Sequence, residues 1–320
     1  MKIKIYPRIA INLIGMHNGL YRKNGGIGFS IKKPSIVLKS KRSKQFNLED
    51  KRDIFLKEDE QKRILEILEL EYKKNRFKYK ITIKLKGLLP THSGFGSSTA
   101  IRLASLESLY ILNNYKYTRK ELLKASRRGG TSGIGVNTYF DGGYVFDIGK
   151  KIDGVLHKPS SIEKVYQLPL KIDYNFMPNW DIGICIPKDI KSKSEQEEKK
   201  FFNLTCPIKA SEAYEMLYHT VYGILSSIKE NDIDTFCKAL KNIQRSKWKK
   251  AERELYGNEL LDIENILYKN AAKAVGMSSL GPMLFFIADD LSKVIKKSKK
   301  ELNCILIRSK VNNKGRKVES

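Results

Sequence analysis

Four short loops rich in glycine and hydroxyl residues carry most of the chemistry this chain could perform. The first, Leu88-Leu89-Pro90-Thr91-His92-Ser93-Gly94-Phe95-Gly96-Ser97-Ser98-Thr99-Ala100, follows a strand-like run at Lys80–Leu85 and opens a helical pattern at Ile101. A turn at a helix N-terminus presents unpaired backbone N–H groups and the positive end of the helix dipole, a favourable place for an anion. Gly94 and Gly96 allow the backbone to approach a phosphate, and Ser97, Ser98 and Thr99 add hydroxyl donors. Taken alone, the segment is either a phosphate loop or a plain helix cap. The second loop, Arg127-Arg128-Gly129-Gly130-Thr131-Ser132-Gly133-Ile134-Gly135, sets four glycines in seven residues behind two arginines. Such a segment is poor core material. It is either a tight connection from a helix ending near Ser126 to a strand near Tyr144–Phe146, or a backbone nest with two guanidiniums suited to a pyrophosphate or a carboxylate. A third glycine turn, Asn24-Gly25-Gly26-Ile27-Gly28, follows Arg22 and Lys23, and a fourth, Gly276-Met277-Ser278-Ser279-Leu280-Gly281-Pro282, lies near the C-terminal end. Their spread over the chain predicts one composite anionic pocket.

Elements able to position such a pocket are legible around the loops. Residues 1–40 read as strands about a glycine turn. Apolar residues Ile64, Leu65, Ile67 and Leu68 recur at helical spacing, and further helices are expected to about Asn113 and over Thr118–Arg127. After the nest a strand runs through Phe146. The proline-punctuated stretch from Pro159-Ser160-Ser161 to Pro178-Asn179-Trp180 is the expected domain boundary. Beyond it, Trp180–Pro187 alternates like a strand, helices dominate from Ala210 to about Ala274, and Leu284–Ile287 and Cys304–Ile307 read as strands enclosing a helix near Asp289–Lys299. The resulting division is 1–165, 166–308 and a polar tail, 309–320, expected to fray.

Composition narrows the function classes. A chain of 320 residues with 41% hydrophobic content can bury a large core in two domains. The net charge of +26 raises nucleic acid as a partner. The basic residues, however, are spread through the chain and interleaved with acids, as in Lys57-Glu58-Asp59-Glu60, and no nucleic-acid-binding motif spacing is present, so no nucleic-acid partner is expected. The longest apolar runs are too short for a membrane span, and Met1-Lys2-Ile3-Lys4-Ile5 lacks a signal-peptide core. Cys185, Cys206, Cys237 and Cys304 show no close pairing, so neither a zinc site nor a disulfide framework is indicated, and a cytoplasmic protein with reduced thiols and no membrane partner is expected.

The motifs resemble a known superfamily. Pro90-x3-Gly94-Phe95-Gly96-Ser97-Ser98 looks like the phosphate loop of the GHMP kinases, and Pro7-Arg8-Ile9 through Asn12-Leu13-Ile14-Gly15-Met16-His17 like their first motif. A closer match, over nearly the whole chain, is to the β-ribofuranosylaminobenzene 5′-phosphate synthase family, a non-kinase branch. It rests on Asn24–Gly28, Arg127–Val136, Pro159-Ser160-Ser161, Pro178-Asn179-Trp180 and Ser278-Ser279-x-Gly281-Pro282. In many of the kinases the segment matching Ser132–Gly135 ends in an aspartate that helps activate the attacking hydroxyl. Gly135 has no carboxylate to act as base.

The resemblance implies an α+β, GHMP-kinase-like fold, with a ribosomal S5-like N-terminal domain and a ferredoxin-like C-terminal domain. It implies transfer of a ribosyl phosphate from phosphoribosyl pyrophosphate to a carbon of an aromatic acid of the 4-aminobenzoate or 4-hydroxybenzoate type, with loss of carbon dioxide and pyrophosphate, as in methanopterin synthesis. Mg²⁺ is the expected cofactor and a homodimer the expected assembly; no metal ligands are readable. On this reading Arg127 or Arg128 pairs with the aromatic carboxylate. Gly25, Gly26, His92, Ser93, Gly94, Gly96, Ser97, Ser98, Thr99, Gly129, Gly130, Thr131, Ser132, Gly133, Ser278 and Ser279 bind substrate. An ATP-dependent small-molecule kinase and a sister C-nucleoside synthase are the alternatives. The family pattern usually carries histidine at Ala10, aspartate at Gly15, and more polar groups at Ala100, Met277 and Leu280, which implies an altered acceptor preference.

Single residues admit two readings each. His92 is a phosphate donor or a turn histidine, and His17 a ligand or a structural residue. Asp147 holds Mg²⁺ or caps a turn. Asp141 could replace the missing kinase base. Glu198 stands out slightly among Glu195, Glu197 and Glu198 in a charged loop. His157 and His219 are expected on the surface or in helix packing, and Trp180 in the core.

Overall fold

The computed structural model describes residues 1–53, 55–154, 157–159 and 168–319; Ser160, Ser161 and the expected boundary at 165/166 lie outside these. The first part of the chain runs β1 (Lys2–Ile5), β2 (Arg8–Gly15), β3 (Arg22–Ser30), β4 (Ile36–Ser43), β5 (Asn47–Asp50), α1 (Glu58–Lys74), β6 (Lys80–Gly87), α2 (Ser97–Leu112), α3 (Arg119–Ser126), α4 (Ile134–Asp141), β7 (Tyr144–Asp147), β8 (Lys150–Lys151) and β9 (Lys171–Asn175). It continues with β10 (Asp181–Pro187), α5 (Glu195–Thr205), α6 (Ala210–Tyr218), a π-helical turn at His219–Leu225, α7 (Ser226–Glu230), α8 (Ile233–Arg245), α9 (Lys247–Glu254) and α10 (Gly257–Lys269). The last elements are β11 (Ala274–Met277), β12 (Leu284–Ile287), α11 (Leu291–Glu301), β13 (Cys304–Lys310) and β14 (Lys317–Glu319).

The strands form three sheets, ordered β14-β1-β4-β6-β5, β2-β3-β7-β9 and β11-β12-β10-β13, with β8 added to β3. Only β5–β6 is parallel among the described pairings. Helix α2 lies on the first sheet and touches α4, which lies on the second. Nearly every residue of α2 is buried, Arg102 and Glu107 included, as expected of a helix covered on all sides. The result is an α+β fold whose two central helices begin at the phosphate loop and at the nest.

Four expectations are corrected. Asn24–Gly28 is not a turn: it lies inside β3, where glycines are required by close approach. A methyl on Gly28 would lie 2.8 Å from Ile134 Cγ2, so the bare strand lets α4 seat directly on the sheet. The segment after the nest is the helix α4, hidden because Gly135, Val136 and Thr138 are weak helix formers that burial overrides. The tail does not fray. β14 pairs with β1, Arg316 Nε donates to the buried Glu107 carboxylate of α2 at 3.1 and 3.2 Å, and Tyr117 also donates to it at 2.6 Å. The expected connection at 159–180 likewise contains β9, paired with β7.

Removing one partner of a buried ion pair leaves the other charge uncompensated. Arg316→Ala is therefore expected to destabilise the protein by about 3 kcal/mol, read from the urea midpoint. A midpoint unchanged from wild type would show that the C-terminal segment does not hold α2.

Candidate active site

The first-motif strand, the phosphate loop, the nest and the late serine turn meet in one cleft. Its wall includes Arg8 and Ala10 of β2, His92, Gly94 and Gly96–Thr99, Arg128, Gly129, Thr131, Ser132 and Gly135, and Ser279–Gly281. The N-cap residues Gly96 of α2 and Gly133 of α4 have no side chain to cap the N–H groups of the first turn, and that turn of each helix lines the cleft. Helix N-termini left uncapped carry orphan N–H groups and partial positive charge. Two of them converge here.

Two guanidiniums reinforce that charge. Arg128 Nε donates to Thr99 Oγ1 at 3.0 Å, joining the nest to α2. Arg8 donates to the Gly94 carbonyl and, at 3.5 Å, to Ser278 Oγ. Burial and then the neighbouring Arg128 charge, against the opposing pull of Glu198, bring Arg8 down to about 10. Burial and then Arg128 bring Arg102, one turn along α2, down to about 9. Buried cations that repel one another are a standing invitation to an anion.

The wall is braced from behind. Ser278 Oγ donates to the Gly94 carbonyl at 2.7 Å and accepts from Ala10 N at 3.0 Å, and Ser279 N donates to the Ala10 carbonyl at 3.1 Å. Gly94, at φ +93°, leaves room for the Ser278 backbone. On α1, Glu60 accepts from His92 Nε2 at 2.7 Å and from Ser98 Oγ; against the burial that would raise it, these bonds hold its carboxyl below the usual range. Asp147 accepts from Gly133 N at 2.8 Å and Gly149 N at 3.0 Å and so fixes the nest.

Several expected site residues sit elsewhere. Arg127 is exposed at the left-handed C-cap of α3, where its side chain does not reach the wall, so Arg128 alone of the pair faces the cleft. Gly25 and Gly26 serve strand packing, Ser93 Oγ turns to the Thr91 carbonyl, and Gly130 is buried outside the wall. Gly133 lies at the N-cap of α4, tied to Asp147, and Ser278 is a brace behind the lining. Asp141 pairs with Arg119 at 2.6 Å and does not line the cleft. Ala100 and Met277 are in the core, so of the expected specificity changes Ala10 and Leu280 face the cleft. His157 is buried, its Nδ1 2.8 Å from Asn24 Oδ1, and lines a second hollow with His17 and Lys23. His219 and Glu195 engage Glu215 and Arg63. Trp180 is core.

Reasoning from the sequence missed Arg8, Phe202, Lys249 and Glu252, all on the wall. Arg8 stood in the first motif and could have been read as a site residue. Helix α9, Lys247-Trp248-Lys249-Lys250-Ala251-Glu252-Arg253-Glu254, reads as a solvated helix, yet its Lys249 and Glu252 side chains are 1% and 3% exposed.

Asp147 yields a pH prediction. Burial raises its carboxyl from 3.8 to about 7, with the two backbone N–H bonds and Arg22 opposing. A folded-state value above the unfolded one contributes stability that is complete below about pH 4 and is lost as pH rises through about 7. The stability of wild type relative to Asp147→Asn should therefore fall as pH rises through this window, read from melting curves of the two proteins. Parallel curves would remove Asp147 as the source.

Residues 61–142 match the GHMP kinases N terminal domain. Homoserine kinase from Cytophaga hutchinsonii shares the fold with a TM-score of 0.71 at 16% identity, covering 99% of this chain and 96% of that one. Mevalonate diphosphate decarboxylase from Staphylococcus aureus does so with a TM-score of 0.69 at 14% identity, covering 100% and 97%. Beta-ribofuranosylphenol 5'-phosphate synthase from Methanothermobacter thermautotrophicus is 29% identical over 289 residues, 88% of this chain and 87% of the relative. The synthase of the same name from Archaeoglobus fulgidus is 30% identical over 329 residues, covering 100% of this chain and 99% of its own. With a full-length match of that order and the phosphate loop, nest and serine turn gathered into one cleft, the chain belongs to the beta-ribofuranosylphenol 5'-phosphate synthase family.

Proposed function

We propose that this protein transfers the ribosyl phosphate of phosphoribosyl pyrophosphate to the ring carbon of an aromatic carboxylic acid, releasing pyrophosphate and carbon dioxide, as a step of methanopterin biosynthesis. The family membership supports this reading. The observation that carries it is the pairing of Arg8 and Arg128 with two helix N-termini on one wall, beside Gly135, which has no carboxylate where many kinases have an aspartate.

That arrangement suits a leaving pyrophosphate. As the ribose C1–O bond breaks, its electron pair moves onto the pyrophosphate, where fixed N–H dipoles and guanidiniums in a dry cleft stabilise the charge. The ribose carbon becomes electron-poor and is met by the ring carbon that bears the carboxylate. A kinase needs a base at the attacking hydroxyl, whereas here a Cβ on Gly135 would lie in ordinary contact, 3.8 Å from Arg8 Nε, with no carboxylate present.

The donor set fits Mg²⁺ delivered with the pyrophosphate. Ser98 and Glu198 on the wall are hard oxygen donors, and no cluster of three or more His, Cys, Asp or Glu among the described residues builds an all-protein cage. Mg²⁺ commonly binds through one or two carboxylates plus phosphate oxygens. When bound it would neutralise charge on the departing group. A cytoplasmic homodimer completes this reading, its assembly open to sedimentation equilibrium. Among the described residues no helix is long and apolar enough to cross a membrane.

Incubation with phosphoribosyl pyrophosphate, Mg²⁺ and aromatic acids should release carbon dioxide and pyrophosphate in equal amounts, with 4-hydroxybenzoate as the lead acceptor. Phosphate transfer from ATP to a small alcohol would replace this reading with a kinase. Arg8→Ala and Arg128→Ala should each lower kcat/KM more than about tenfold, since losing a buried charged contact costs on the order of 2–5 kcal/mol. His219→Ala should be neutral. Gly135→Asp should weaken pyrophosphate binding by placing a carboxylate against Arg8; tighter or unchanged binding would show that this wall does not hold the anion.

A further inference from the structure

The cleft also carries an apolar wall that the phosphate chemistry does not use. Strand β2 supplies both parts: Arg8 stands at the phosphate loop, and Leu13, five residues on, packs against the apolar cluster of Phe202, Trp248 and Leu280. Leu13, Phe202 and Leu280 all face the cleft. The ion pair of α9 lines the same cleft. Lys249 Nζ donates to Glu252 Oε2 and, at 3.1 Å, to the Met277 carbonyl, and Trp248 Nε1 donates to Glu252 Oε1 at 2.9 Å. Trp248 is itself held edge-on by Phe201 and Phe202, at 5.0 and 5.6 Å between ring centroids.

A buried ion pair is expensive to maintain and often less stabilising than apolar residues of similar size. This one lines a cleft, and its hydrogen bonds leave capacity for more. A carboxylate offers about four lone-pair sites and an ammonium three protons, of which two on each side are taken. Burial pushes the Glu252 carboxyl up and the Lys249 ammonium down, each partner resisting the other's shift.

Resting on the transfer reading, we propose that Leu13, Phe202 and Leu280 seat the acceptor's aromatic ring and that Glu252 accepts the hydrogen of its para-hydroxyl group. Lys249 is a positioning residue that holds the Glu252 carboxylate toward the cleft. The orientation follows from the chemistry. The carbon that attacks the ribose bears the carboxylate and lies on the Arg8–Arg128 side, so the para substituent, across the ring, points toward the apolar wall beside Glu252. Glu252 takes the phenolic proton as the ring-carbon-to-ribose bond forms and the ribose–pyrophosphate bond breaks, giving a cyclohexadienone that still carries the carboxylate. The bond to the carboxylate carbon then breaks, carbon dioxide departs, its electron pair restores the aromatic ring, and the phenolate recovers the proton from Glu252. The proton is borrowed and returned, and no other reactant is needed.

The test compares 4-hydroxybenzoate with benzoate, which lacks the para group, by calorimetry in the presence of pyrophosphate and Mg²⁺. Wild type should favour 4-hydroxybenzoate by about tenfold, the scale of one hydrogen bond to a charged group. Glu252→Gln should keep much of that preference but lower kcat with 4-hydroxybenzoate by at least about a hundredfold, the lower range for a general base, with KM for phosphoribosyl pyrophosphate little changed. Because a single substitution strands Lys249, the paired Lys249→Met, Glu252→Leu variant is the second probe. It should fold, bind pyrophosphate like wild type, and treat the two acids alike. A wild type that does not distinguish the acids, a paired variant that still does, or equal loss of pyrophosphate binding would overturn the assignment. Para preference in wild type without carbon dioxide release would support the ring subsite while defeating the transfer reading.

Discussion

Two buried guanidiniums that repel each other, set beside two helix N-termini, are the constraint around which this molecule is organised. Arg8 donates to the Gly94 carbonyl and Arg128 to the Thr99 hydroxyl, and Glu60, Glu195 and Glu198 offset part of the Arg128 charge. Positive charge concentrated in a low-dielectric cleft is costly without an anion, which is why the cleft suits one. The surrounding structure keeps the charge in place. Asp147 ties down the nest, Glu60 holds His92 and Ser98, and Ser278 links the phosphate loop to β2 from the distant end of the chain.

That last link ties the late serine turn to the phosphate loop and to β2. The turn at Ser278–Gly281 presses on Gly94, Arg316 reaches α2, and β14 completes the sheet of β1. Each is a contact of very long sequence separation bearing on an element at the cleft.

One cleft offers two kinds of surface. Backbone dipoles and arginines suit a leaving group whose charge is large and whose shape is set by tetrahedral phosphate. Leu13, Phe202 and Leu280, with the Lys249–Glu252 ion pair beside them, suit a flat ring with a single polar tip. β2 supplies residues to both, Arg8 to the first and Leu13 to the second.

Local chemistry made the phosphate loop, the nest, most of the strands and long helices, and the family readable from the sequence. Glycine-rich turns before helices have few uses, and apolar spacing of two or of three to four residues reports which face is buried. Side-chain direction and partnership were not readable. Nothing in Asn24–Gly28 says that its glycines serve a helix lying on a strand, because that helix, α4, is made of poor helix formers stabilised by burial alone. Arg127 and Arg128 are equivalent in sequence, yet the left-handed cap of α3 sends the first to solvent and the second to Thr99. Lys249 and Glu252 look like two more surface charges among many until the packing of α9 against Phe202 and Met277 takes them out of water. The sequence by itself carried most elements and the loops of the cleft, which rest on local backbone propensity and apolar periodicity, and through its resemblance to a family it carried the fold; tertiary structure decided which charges face the cleft, since burial is a property of the assembled layers and no single segment contains it.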